Sequence, residues 1–293
     1  MFWNPFMKTF KPYFEMSKMR IVTMVLVTSS IGYFLGARGV GDVRWVVWAL
    51  SLLGTGMAAA GAACLNNYLE RDLDARMERT RRRALPAGAI DPVSALMYGI
   101  VMVLGGVTLL VWQVNLLCGF LVLLTAFLYV LVYTPMKRWT WLNTSVGAIP
   151  GALPPVSGWA AATGQLDVGA WVLFAILFVW QHPHFYAIAW MYKDDYREAG
   201  FRMLPVIDPS GQRMFRHILA HSAVLIVVAA LPTFIGMTGW IYLIGAFLLG
   251  LMMLEVGVRL WRTHSMADAR NVLRASVYYL PLLLVMIALD VVL

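Results

Sequence analysis

The stretch Val93-Ser94-Ala95-Leu96-Met97-Tyr98-Gly99-Ile100-Val101-Met102-Val103-Leu104-Gly105-Gly106-Val107-Thr108-Leu109-Leu110-Val111-Trp112-Gln113 contains no charged residue. Coiled as an α-helix rising about 1.5 Å per residue, it is long enough to cross a hydrocarbon layer roughly 30 Å thick. A second uncharged run, 116–134, begins almost at once, so the two are expected to form an antiparallel hairpin.

Working outward, comparable apolar runs recur at 21–37, 45–69, 143–162, 168–190, 215–235, 239–261 and 274–293. With the first pair they predict an all-α, polytopic membrane protein of nine transmembrane helices, one domain spanning 1–293. Composition agrees, because 61% of the 293 residues are hydrophobic and 13% are charged, against about 25% charged in soluble domains. The fifth run, 143–162, is interrupted by Gly147, Pro150, Gly151, Pro154, Pro155 and Gly158. Such a helix is expected to be kinked and to lie inside the bundle, where neighbours satisfy its freed backbone groups. Cys64 and Cys118 lack disulfide or zinc spacing and read as small buried residues. The N-terminal mix of Met, Phe, Lys and Glu15 fits neither a signal nor a transit peptide, and is expected to be a cytosolic arm.

Charge placement supplies an orientation. With the N-terminus in the cytosol, every one of the 23 Lys and Arg residues except Arg38 and Arg44 falls on the cytosolic side. Positive charge marks that side, so the C-terminus is expected outside. The net charge of +8 then needs no nucleic-acid partner. Of the 15 acids, only Asp42, Asp167 and Asp290 fall outside. Orientation does not require acids on the cytosolic side, which points to chemistry in the loops after the second and sixth spans.

The first of these begins at Leu65-Asn66-Asn67-Tyr68-Leu69-Glu70-Arg71-Asp72-Leu73-Asp74 and is expected to stay helical as far as Arg81. At 100° per residue Asn66, Glu70 and Asp74 fall near 0°, 40° and 80°, with Asn67 near 100°, on one face. Carboxylates four residues apart repel, and a cation on the face removes the conflict. Oxygen-only ligands point to Mg²⁺ with phosphate as co-ligand. Asp72 faces away and is expected to pair with Arg76, as Glu78 is with Arg82. The run Arg79, Arg81, Arg82 and Arg83 serves topology and also suits a diphosphate, since Arg contacts phosphate oxygens in pairs.

Two further segments carry polar groups. Tyr133-Thr134-Pro135-Met136-Lys137-Arg138 closes the fourth span, where Pro135 is expected to stop the helix. The sixth span holds Gln181-His182-Pro183-His184, a histidine pair that reads equally as core packing and as a ligand site. It runs on to Lys193-Asp194-Asp195-Tyr196-Arg197. His217, His221 and His264 read as interfacial.

Taken in order, these motifs resemble the UbiA superfamily of intramembrane prenyltransferases. Its signature, Asn-x-x-x-Asp-x-x-x-Asp, is matched at Asn66, Glu70 and Asp74, with Glu in place of the first Asp. Further matches are Tyr133-Thr134-Pro135-Met136-Lys137-Arg138, Leu142-Asn143-Thr144 with 147–155, Pro183-His184-Phe185, Asp194-Asp195-Tyr196 and 203–206. They are similar to the branch of that family that farnesylates protohaem. Departures are Lys18-Met19-Arg20 where the branch usually has Lys-Pro-Arg, and Tyr192 and Tyr196 where the wider superfamily has paired aspartates.

The resemblance implies a UbiA-type bundle in a bacterial cytoplasmic membrane, with its active site toward the cytosol. It implies Mg²⁺ on Asn66, Glu70, Asp74 and Asp195, with Asn67 beside them as catalytic. Arg79, Lys137, Arg138 and Lys193 would bind the diphosphate of farnesyl diphosphate. His182 and His184 would contact haem b as the acceptor substrate, and a downstream haem A synthase would be a partner. Rival readings are a quinone- or chlorophyll-type prenyltransferase, a cation-coupled transporter and a non-catalytic assembly partner. The transporter reading is opposed by acids gathered at one membrane face and by halves that do not repeat.

Overall fold

The computed structural model describes residues 5–38, 41 and 43–292. Asp42, assigned above to the outer side, lies outside the described residues. All regular structure among them is helical. The helices are α1 (Pro5–Met16), α2 (Met19–Arg38), α3 (Trp45–Asp74), α4 (Pro92–Gln113), α5 (Leu116–Phe127), α6 (Thr134–Trp139), α7 (Asn143–Thr163), α8 (Val168–Met191), α9 (Lys193–Glu198), α10 (Leu204–Ile207), α11 (Gln212–Phe234), α12 (Trp240–Thr263) and α13 (Met266–Val292). A π-helical stretch, Leu128–Tyr133, joins α5 to α6.

Among the described residues, 8 helices are long and apolar enough to cross a membrane, counting Leu116–Trp139 as one. Their outward side chains are apolar, as lipid contact requires: Val101 is 61% exposed, Leu104 55% and Leu248 60%. The fifth expected span is the helix α7, which falls below that hydropathy mark. Its residues from Ala152 to Ala162 are all buried, as expected for a helix inside the bundle.

The chain divides into two units. The first comprises Met1–Arg138, Leu153–Gln165 and Glu198–Gly200. Here α3 packs on α4, and α2 and α5 flank the pair. The α3–α4 approach depends on absent side chains: a Cβ at Gly61 would lie 2.6 Å from the carbonyl oxygen of Gly99. Small residues at such crossings let helix backbones meet in lipid. The carbonyl oxygens of α7 in this unit take outside donors, Ala160 from Asn115 Nδ2 at 2.8 Å and Ala162 from Arg44 Nη2 at 3.2 Å. Asn115 also caps α5 through Cys118 N at 2.8 Å, which closes the tight hairpin expected there.

The second unit comprises Trp139–Ala152, Leu166–Arg197 and Phe201–Leu293. Its helix α11 packs on α12, α12 on α13, and both α11 and α13 on α8. Tyr186, Trp190, Met214, Phe215, Ile218 and Leu260 form its core.

Two local expectations are corrected. The helix after the second span ends at Asp74, and turns follow, with Thr80 Oγ1 donating to the Asp74 carbonyl at 2.8 Å. Helical four-residue spacing is lost there, so Arg71 pairs with Asp72 at 3.7 Å and Glu78 with Arg81 at 2.6 Å, in place of the expected partners. Nor does Pro135 stop the fourth span, because helix continues from Thr134 to Trp139. A proline ring clashes with the carbonyl one α-turn back. The wider π turn, in which Thr134 N–H reaches the Tyr129 carbonyl, accommodates it.

Candidate active site

The C-terminal end of α3 carries the polar face read from the sequence, and Asn66, Asn67, Glu70 and Asp74 are all buried there. Buried carboxylates need partners. Glu70 Oε1 accepts from Lys137 Nζ at 2.7 Å, and Asp74 Oδ2 from Arg83 Nη1 at 2.7 Å. The π-helical turn before α6 positions Lys137 and also Thr134. Thr134 Oγ1 donates its proton to the Tyr129 carbonyl at 2.8 Å. It therefore accepts from Asn66 Nδ2 at 3.0 Å, which sets the Asn66 amide with its oxygen toward the cations. That oxygen accepts from Lys18 Nζ at 2.8 Å. Burial, reinforced by Arg83 and Lys137, pushes the Lys18 ammonium down to about 7, against the pull of Glu70 and Asp74.

Asn67 does something different. Its Nδ2 donates to the Met16 carbonyl at 3.1 Å and ties the turn after α1 to α3. Of the basic run, Arg83 reaches the face, whereas Arg79 is exposed, as is Arg138 in the last turn of α6. Lys18 was not among the expected site residues, and Arg83 was expected only as one of a run suited to a diphosphate, with Arg79 singled out from it. Arg83 follows a break in the helix, and Lys18 reaches Asn66 from a left-handed turn at φ 49; neither geometry has a period to read.

The face fits a magnesium ion. Asp74 Oδ1 is buried without a partner among the described residues, an arrangement that is costly for a charged group and is relieved by a cation. Asn66 Oδ1 and the Glu70 carboxylate supply further hard oxygens. Among the described residues no three His, Cys, Asp or Glu side chains gather as a metal cage. Mg²⁺ takes one or two carboxylates and completes its shell with water and substrate phosphate. Arg83 and Lys137 match Asp74 and Glu70 one for one, and Lys18 in its ammonium form adds a surplus of positive charge for an anion.

The second unit holds the remaining expected residues. Lys193 lies over the Trp190 ring at 4.1 Å, Asp195 is half-buried on α9, and Asp194 is exposed and bound to Arg197 at 2.7 Å. The two histidines of α8 serve different neighbours. His182 Nδ1 donates to the Phe178 carbonyl at 2.8 Å, and its Nε2 accepts from Ser145 Oγ at 3.0 Å. Both nitrogens are engaged. His184 Nδ1 meets Ser276 Oγ at 2.8 Å, and that hydroxyl donates to the Leu273 carbonyl at 2.7 Å. His184 Nδ1 is therefore the donor, and its Nε2 keeps a lone pair. His221, read above as interfacial, instead stacks on His182 within the second unit, centroids 4.0 Å apart and planes at 14°.

The chain is similar to known proteins over nearly its whole length. The model of the UbiA prenyltransferase family matches residues 25–280. A protoheme IX farnesyltransferase of Solibacter usitatus (strain Ellin6076) is 45% identical over 289 residues, covering 96% of this chain and 98% of that protein. One from Opitutus terrae (strain DSM 11246 / JCM 15787 / PB90-1) is 42% identical over 283 residues, 96% of this chain and 95% of that protein. Among solved structures, the apo UbiA homologue from Aeropyrum pernix K1 has a TM-score of 0.72 at 17% identity, covering 92% of this chain and 98% of that one. The Archaeoglobus fulgidus homologue bound to DMAPP and Mg²⁺ has a TM-score of 0.61 at 14% identity, covering 97% and 99%. Those two likenesses concern the fold. With a family match over most of its length and full-length relatives at this level of identity, the chain belongs to the UbiA prenyltransferase family.

Proposed function

We propose that the protein transfers the farnesyl group of farnesyl diphosphate to a vinyl group of haem b, giving haem O. The observation that carries this reading is the buried face of α3. Its Asn66 oxygen is fixed by Thr134, its Asp74 Oδ1 is unpartnered, and cations outnumber carboxylates around it. The acceptor is inferred from the full-length relatives that bear the name protoheme IX farnesyltransferase.

Asn66, Glu70 and Asp74 would hold Mg²⁺, with Asn67 fixing the turn beside them; when bound, the ion neutralises charge building on the leaving diphosphate. Lys137 and Arg83 present preorganised positive charge to the same group, which lowers the barrier to breaking the allylic C–O bond. The farnesyl cation is then attacked by the vinyl carbons of the porphyrin, and water adds to complete the hydroxyethylfarnesyl group, releasing a proton and diphosphate. His184, with its free Nε2, is proposed as a haem contact, and His182 as a support through its ring stack. Arg79, Arg138 and Lys193 are proposed as further diphosphate contacts, and Asp195 as a further metal ligand.

The chain is proposed to act as one domain in the cytoplasmic membrane of a bacterium. We propose that α7 crosses with the other eight helices, so that the two ends lie on opposite sides, and that the basic loops set the N-terminus in the cytosol and the C-terminus outside. The product would pass to a haem A synthase.

The test is to incubate purified protein with haem b, farnesyl diphosphate and Mg²⁺ and to analyse the porphyrin by mass spectrometry. A hydroxyethylfarnesyl haem is expected. Its absence, together with prenylation of a quinone precursor in its place, would overturn the choice of acceptor.

A further inference from the structure

We propose that Lys18 is a built-in stand-in for the divalent cation. In the ligand-free protein its ammonium fills the cation seat on Asn66 Oδ1, and the seat opens to a metal only when a diphosphate comes with it. This rests on the metal–diphosphate reading of the α3 face and adds an order of binding to it.

Thr134 has committed its own proton to the Tyr129 carbonyl, so Asn66 cannot turn its amide round without losing a bond, and its oxygen stays an acceptor. Lys18 Nζ already sits on that oxygen at 2.8 Å. An ammonium and a divalent cation repel each other, so on one oxygen each weakens the hold of the other.

Lys18 is also delivered there by a fixed turn. On one side of it the Met16 carbonyl is held by Asn67 Nδ2 at 3.1 Å, and Ser17 Oγ lies 3.1 Å from the hydroxyl of Tyr98. On the other side the Lys18 carbonyl starts α2 by accepting from Ile21 N at 2.7 Å. The turn is thus bound to α3 and α4, and the side chain approaches the face from a set point.

Charge decides what displaces it. Bare metal would add two positive charges to a site where Lys18, Arg83 and Lys137 already exceed Glu70 and Asp74. A metal arriving with diphosphate adds net negative charge, and the released ammonium then has an anion beside it. Metal and diphosphate should therefore strengthen each other's binding by the same factor.

The experiment uses the full-length protein in detergent and Mn²⁺ as a spin probe for the metal, titrated by electron paramagnetic resonance with and without inorganic pyrophosphate. For the native protein, pyrophosphate should tighten Mn²⁺ binding by at least about tenfold. In Lys18→Met, Mn²⁺ alone should bind roughly tenfold more tightly, and the gain from pyrophosphate should shrink. Lys18→Arg keeps the charge and should behave as the native protein does. Mn²⁺ binding to Lys18→Met that is no tighter than native overturns the proposal. If Lys18→Met elutes as aggregate, Lys18→Gln removes the charge while still donating to Asn66, and the same two outcomes decide. Asp74→Ala with pyrophosphate present separates the two layers. Mn²⁺ binding that survives Asp74→Ala sinks the metal face itself, whereas its loss there with unchanged Lys18→Met affinity sinks only the role of Lys18.

Discussion

Asp74 has one carboxylate oxygen held by Arg83 and one with no partner, so the residue is half satisfied before any ligand arrives. Asp74→Ala should lower kcat by roughly 10²–10³, the loss typical of removing one preorganised electrostatic contact, while membrane insertion stays normal. Unchanged activity in membranes containing the variant would remove the metal face from the mechanism. The two histidines of α8 should also part company. His184 keeps a lone pair on Nε2, whereas Ser145 occupies that atom in His182. His184→Ala should weaken haem binding by about tenfold, equivalent to about 1.4 kcal/mol, and His182→Ala by less. A haem titration of both variants checks the order, and equal affinities would reduce His184 to a packing role.

At the scale of elements, the site depends on how two helices are shaped. The α3–α4 crossing needs the missing side chain of Gly61 against the Gly99 carbonyl. Gly61→Val should destabilise the protein by about 1–3 kcal/mol through overpacking, read as a lower midpoint in denaturant or heat. A midpoint equal to native would mean that the helices separate there without cost. The π-helical stretch Leu128–Tyr133 illustrates what a local pattern conceals. Pro135 reads as a stop signal, yet widening the turn by one residue lets the helix absorb the proline. The same widening places Thr134 on Asn66 and Lys137 on Glu70. π turns recur at functional sites, and this one positions two of the contacts that define the face.

For the whole molecule the open quantity is parity. Among the described residues 8 helices meet the length and hydropathy of a span. If α7 crosses as well, the two ends of the chain lie on opposite sides of the membrane. Reporter fusions at each end should find the N-terminus in the cytosol and the C-terminus outside. Both on one side would return the count to an even number and require α7 to stay within one leaflet or in the protein interior.

Membrane class, span positions and the Asn66/Glu70/Asp74 face follow from the sequence alone, because hydropathy over about 20 residues and the 100° step of a helix are local properties. The resemblance carried by those motifs is local in the same sense. What only the tertiary structure decided is which cations meet those oxygens. Lys18 lies 48 positions from Asn66 and Lys137 67 positions from Glu70, and Arg83 turns back to Asp74 across a helix end. Arg79 and Arg138 looked equally eligible from the sequence, but they lie exposed. Pairing across such separations is set by a left-handed turn, a π turn and a helix terminus. These are departures from periodicity, so a reading that relies on periodicity cannot supply them.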